Sequence, residues 1–256
     1  RSQITSATIT HEMKHILKSL AFYNCTSLTT VIIPDNIHTI GPGAFAGCSA
    51  LTNINLSENV YSIGRQAFEG CTSLTEINLP NDITIIKPYT FKDCTSLKNV
   101  NISTNNTFII EYGAFINCSA LEINIPKNVI SIKEQAFLGC SSLKTVTIPH
   151  GIKIINSDVF TNCINLYEII LPNTIDTINS DAFSNCKSLR KLIFNKPTKF
   201  IIKEYAFRGA NLNNINIING TSMMTVNEHY TLQLQPDYIT IGERMSRAMN
   251  RIPGGY

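Results

Sequence analysis

Eight cysteines, at Cys25, Cys48, Cys71, Cys94, Cys118, Cys140, Cys163 and Cys186, are separated by 23, 23, 23, 24, 22, 23 and 23 residues. Three residues before each stands a phenylalanine (Phe22, Phe45, Phe68, Phe91, Phe115, Phe137, Phe160, Phe183), and Phe207 continues the series with Ala210 in the cysteine's place. Three residues after each cysteine comes a leucine, from Leu28 to Leu189, and Leu212 follows Ala210 after a one-residue deletion. Three columns kept in step over so many copies make this a repeat array. A unit of 23 residues cannot bury its own apolar face, so the copies must stack side by side and stabilise one another.

The unit reads L-x-x-[IV]-x-[IL]-P-x-x-[IV]-x-x-I-x-x-x-A-F-x-[GND]-C. Its first part alternates apolar and polar residues and is rich in Ile and Val, the pattern of a short half-buried strand. Pro34, Pro80, Pro126, Pro149 and Pro172 end it, because proline has no N–H to give to a ladder. The position before each cysteine holds Asn24, Gly47, Gly70, Asp93, Asn117, Gly139, Asn162, Asn185 and Gly209. These are the residue types that tolerate positive φ. The pattern predicts a single helical turn ending at the Phe, a left-handed cap, and a reversal into the next strand. Metal-binding cysteines cluster two to four residues apart, whereas these recur at one structural position. They read as small core fillers, eight free thiols.

These residues resemble the leucine-rich repeats of the BspA-like (Treponema pallidum) type, over roughly residues 17 to 217, through AFxxC-x-x-L-x-x-[IV]-x-[IL]-P recurring eight or nine times. The resemblance implies a leucine-rich-repeat solenoid of about nine 23-residue repeats plus a degenerate one. It places a parallel sheet on the concave side and short helical turns on the convex side. It also implies a protein or cell-surface macromolecule as partner and, from the family alone, a place at the cell surface. The organisation expected is an N-terminal edge segment over 1–24, repeats over 25–217, and a degenerate repeat with a cap helix over 218–256. Met13, Ile16, Leu17 and Leu20 lie at helical spacing and predict an N-terminal capping helix; Ile241, Met245, Ala248, Met249 and Ile252 predict one at the other end. An array should not start at Arg1, so further residues are expected upstream.

Composition removes several function classes. Charged residues make up 15 %, against about 25 % in an ordinary globular chain. The net charge of +3 comes without any Lys/Arg run, which argues against nucleic acid as the partner. No apolar stretch is long enough for a membrane-spanning helix. No Walker loop, nucleophile elbow or paired-carboxylate arrangement occurs, and no cofactor is indicated.

One string looks catalytic: His11-Glu12-Met13-Lys14-His15, an H-E-x-x-H. On a helix it would set two imidazoles on one face to bind Zn²⁺ while Glu12 polarises a water, and it resembles the zinc metallopeptidase signature. Lys14 puts a cation beside the metal, and the repeats leave no segment to supply a third ligand. The reading adopted is non-enzymatic, with no metal site; a metallopeptidase fragment is the remote alternative.

Period-2 alternation sends the residues between the strand aliphatics out of the sheet. The outward column before the last aliphatic reads Ile32, Asn55, Asn78, Asn101, Asn124, Thr147, Ile170, Ile193 and Asn216. Successive Asn side chains could bond one another as an amide ladder. Near 167–193 the face becomes apolar, with Tyr167, Ile170 and Ile193 beside Arg190 and Lys191, the composition of an interface hot spot. The candidate binding face is therefore Asn55, Asn78, Asn101, Asn124, Tyr167, Ile170, Arg190, Lys191 and Ile193. The function expected is adhesion or recognition through that face. The alternative is a structural subunit of a surface layer, cytoskeleton or virus particle, docking through the solenoid ends.

Overall fold

The computed structural model describes residues 3–9, 15–103, 105–194 and 200–210, and the backbone of three further strands at 216–218, 223–226 and 230–233. Within them the chain winds into a solenoid with two strands per coil where a strand forms on both sides. The first-sheet strands are β1 (Ser6–Thr8), β3 (Thr30–Ile32), β6 (Glu76–Asn78), β8 (Asn99–Asn101), β11 (Thr145–Thr147), β13 (Glu168–Leu171), β15 (Lys191–Phe194) and β17 (Asn216–Ile218). The second-sheet strands are β2 (Ile16–Leu17), β4 (Thr39–Ile40), β5 (Ser62–Ile63), β7 (Ile85–Ile86), β9 (Phe108–Ile110), β10 (Val129–Ile132), β12 (Ile154–Ile155), β14 (Thr177–Ile178), β16 (Phe200–Ile202), β18 (Met223–Val226) and β19 (Tyr230–Gln233). Every pairing is parallel except β18 with β19, a hairpin.

The first sheet is continuous from β11 to β17, and shorter pairings join β1 to β3 and β6 to β8. It is interrupted twice: Asn55 keeps only a bridge to Ile32 with no pairing to β6, and residues 121–126 form no strand. Leu121 to Pro126 holds one residue fewer than Leu143 to Pro149, too few to span the rung while keeping Leu121 and Ile123 buried. The second sheet was not foreseen. Its outward residues are mixed Ile, Thr and Ser, so its strands of two to four residues show no alternation long enough to read.

The core is one continuous column set. Nine phenylalanines, Phe22 to Phe207, stack in eight successive contacts with centroids 5.2 to 5.6 Å apart and planes within 12° of parallel. All eight cysteines are buried and unpaired. From Cys48 onward each donates its S–H to the carbonyl of the Phe one coil back, at 2.9 to 3.2 Å. Burial pushes these seven thiols up, Cys48 and Cys186 to about 12 and the five between them well above the usual range.

All nine residues before the cysteine position have φ between 57° and 76°, as their chemistry predicted. A second left-handed position lies four residues earlier, at Leu20, Gly43, Gln66, Tyr89, Gly113, Gln135, Asp158, Asp181 and Tyr205, and carries no residue-type signature. Between the two positions the backbone alternates its bonding. Leu20, Phe22 and Asn24 donate to Pro42, Ala44 and Ala46 of the next coil, while Ala21, Tyr23 and Cys25 donate three residues back. Because alternate N–H groups leave the coil, the turns do not propagate, and there is no helix among the described residues.

Two expectations change. Ile16 and Leu17 do not lie on a capping helix: they form β2 and pair with Thr39 and Ile40, because Leu17 fills the buried aliphatic column of the coil. Asn216 does not continue the outward column of Ile193. It pairs with Lys191, and Ile193 pairs with Ile218, so the last repeat runs two residues out of the expected frame. The helix expected at 242–252 lies outside the described residues.

Candidate functional site

Along the first sheet the buried residue of each strand is flanked by two outward ones, as Val31 is by Thr30 and Ile32. Asn55, Asn78, Asn101 and Asn124 all lie outward and exposed. One step of the amide ladder closes: Asn101 Nδ2 donates to Asn78 Oδ1 at 2.6 Å. Asn55 is held by a single bridge to Ile32, and Asn124 stands on the coil that lacks a first strand, so the backbone does not bring their neighbours into the same alignment. Ile32, at the head of this column, is 62 % exposed.

At the other end, Ile170 and Ile193 are direct partners across β13 and β15, both half-buried. Tyr167, just ahead of β13, is 45 % exposed. Lys191 Nζ lies 5.4 Å from the Tyr167 ring and 3.3 Å from Glu168, within cation–π reach and paired at once. Arg190 is directed elsewhere. Its guanidinium donates to the carbonyls of Lys187 and Leu189 at 3.0 and 2.9 Å, which ties it to its own turn. The structure thus pairs Tyr167 with Lys191 and Ile170 with Ile193 on the same two coils, keeps the four asparagines on the same face in other coils, and turns Arg190 aside. The exposed pair Lys98–Glu122, 3.8 Å apart on this side, contributes little, as exposed ion pairs do.

This face offers uncharged amides that both donate and accept, an apolar end with one aromatic, and a cation whose charge is already shared. It can hydrogen-bond and bury surface. It assembles no nucleophile, base and acid within reach of one another, and no group of three or more metal-ligating side chains occurs among the described residues. The H-E-x-x-H string does not give a helical pair. His11 to Lys14 lie outside the described residues, and His15 sits at φ 52° at the entry to β2. Sequence reasoning passed over a second constellation at the 23-residue spacing: His15 and His38 stack with centroids 4.7 Å apart, and Tyr61 lies tilted 41° against His38 at 6.0 Å. Their common position in the repeat was the signal.

With this geometry in place, the chain can be set beside known proteins. The family profile described as BspA type leucine rich repeat region matches residues 15–128 and 108–231, in six copies. A leucine rich cell surface protein from Faecalibacterium prausnitzii is similar in structure, with 25 % identity and a TM-score of 0.55, over 84 % of this chain and 72 % of that one. The T. pallidum leucine-rich repeat protein shares 27 % identity with a TM-score of 0.50, over 72 % of this chain and 78 % of that one. A leucine-rich repeat protein from Bacteroides ovatus, 23 % identical with a TM-score of 0.53 over 86 % of this chain and 73 % of that one, shares the fold. No curated protein matches the chain significantly.

Proposed function

Because the chain belongs to the BspA type leucine-rich repeat family, we propose that it is an interaction scaffold that binds a protein or cell-surface macromolecule through the outward face of its first sheet. A scaffold role is the common property of such arrays, since stacked rungs present a long, rigid surface. The cell-surface description of the Faecalibacterium protein supports a surface location for this one. The observation that carries the choice of face is the run of Tyr167, Ile170 and Ile193, an exposed aromatic with Lys191 over its ring and, further along the same two coils, a pair of half-buried aliphatics. Such a run can be desolvated by a partner at low cost, while the neighbouring amides satisfy polar groups around it.

The test is photo-crosslinking from positions 167 and 147 on source-cell surfaces, followed by capture with a Tyr167→Ser/Ile170→Ser/Ile193→Ser variant. Cross-links should map to the outward columns, and the variant should lose capture by at least about tenfold while keeping its thermal transition. Undiminished capture by the folded variant would discard this face.

A further inference from the structure

From the imidazole pair at one end of the second sheet, we propose that His15 and His38 form a two-nitrogen chelate for a late first-row divalent ion, with Cu²⁺ held most tightly. The placement comes from the repeat itself. The carbonyl of His15 accepts the N–H groups of His38 at 2.7 Å and Thr39 at 3.1 Å, and the carbonyl of His38 accepts that of Tyr61 at 3.0 Å. These bonds lock the two histidines into adjacent rungs at one register. Their rings lie 4.7 Å apart and 23° from parallel, on the solvent side, with His15 exposed and His38 half-exposed.

The second shell is also built. His15 Nδ1 lies 3.0 Å from the carbonyl oxygen of Asn36. A carbonyl only accepts, so Nδ1 carries the hydrogen, and in the neutral ring Nε2 keeps its lone pair for a metal. The left-handed φ of 52° at His15 is a conformation that histidine adopts more readily than most side chains, and it holds the ring over its neighbour. An ion bound to imidazole at about 2.0 Å holds two nitrogens no more than about 4 Å apart. Imidazole lone pairs lie in the ring planes, so on binding the half-exposed His38 ring turns out of the stack to aim a nitrogen at the ion held by His15 Nε2. Imidazole nitrogens select late first-row ions, and affinity along that row peaks at Cu²⁺. Two ligands leave coordination positions open to water or to a donor from a docked partner.

The test is calorimetric titration of the chain, free of any histidine tag, with Cu²⁺ and Zn²⁺, together with electron paramagnetic resonance of the copper form. The expected result is one Cu²⁺ per chain coupled to two imidazole nitrogens. Affinity should fall on the order of 100-fold in His15→Ala and in His38→Ala, because each leaves a single ligand without its chelate partner, and should stay unchanged in His11→Ala. Melting without metal checks that the variants fold, and His38→Asn serves as a second variant that keeps a polar side chain at the position. Binding untouched by His38→Ala and His38→Asn, copper held through His11 and His15 with His38 dispensable, or no uptake at micromolar Cu²⁺ would each overturn the site.

Discussion

The residue before each cysteine shows how steric exclusion writes itself into sequence. At Gly47, Gly139 and Gly209 an added Cβ would lie 2.1 to 2.5 Å from the amide oxygen of the Asn one coil back. Where both coils carry a side chain, the two bond, as Asn117 does to Asp93 at 2.8 Å and Asn185 to Asn162 at 3.0 Å. Only glycine or a short amide or acid satisfies both the left-handed backbone and this contact, so the column is legible. Four residues earlier the φ is equally positive, yet Gln66, Tyr89 and Tyr205 occupy it. There a Cβ at Gly43 or Gly113 would meet the side chains of Leu20, Ile116 or Tyr89, and no amide from the coil behind offers the bond that selects a short polar residue, so no signature survives. Gly70 isolates the backbone contribution: its added Cβ would meet only Gly47 at an ordinary 3.7 Å, at φ 71°. Gly70→Ala should therefore cost about 1–2 kcal/mol in denaturant unfolding, and Gly70→Asn much less. Equal losses for the two would mean that φ is not what the column selects.

At the scale of the strand, the six-residue alternation from Leu to Pro was readable because one face is buried throughout, as Leu74, Ile77 and Leu79 show. The same alternation placed Asn55, Asn78, Asn101, Asn124, Tyr167, Ile170 and Ile193 outward, so the candidate face was legible as a set of positions. What each side chain does there was not: Arg190 folding onto Leu189 depends on the local turn. The second sheet stayed hidden because two to four residues per rung carry no readable period, and the His15–His38 stack was obscured by a local motif read as helical. The break between β8 and β11 is a length effect, and it can be repaired. Inserting Thr between Glu122 and Ile123 restores L-x-x-I-x-I-P at that coil and gives the sheet a rung between β8 and β11. Two new ladder bonds should add about 2 kcal/mol and slow amide exchange at Asn99–Asn101 and Thr145–Thr147. A destabilised variant would show that the short coil is matched to the extra residue between Cys94 and Cys118.

In the whole molecule the cysteine column turns a local property into a collective one. Each of the seven shifted thiols is neutral in the fold, where burial and, for most, a neighbouring cysteine raise its pKa, the first cause being the larger. In the unfolded chain each titrates near 8.5. Below that value both states hold the proton and the stabilisation is complete. Above it the unfolded state loses protons that the folded state keeps, so stability falls by about 1.4 kcal/mol per thiol for each pH unit, until the folded value is reached. Seven thiols together withdraw about 10 kcal/mol over one unit, comparable with the whole stability of a typical domain. Because each coil is held only by its neighbours, the first thiolate to form opens the coils on either side and exposes theirs. The unfolding midpoint in guanidinium should therefore drop steeply between pH 8 and 9.5, before most tyrosine and lysine side chains lose their protons. Replacing Cys94, Cys118 and Cys140 by Ala, the residue already present at Ala210, should flatten that slope in proportion to the thiols removed. A midpoint level across this range would mean that the thiols ionise within the intact coil, and that the column is more open to water than its burial and its S–H bonds to the phenylalanine carbonyls require.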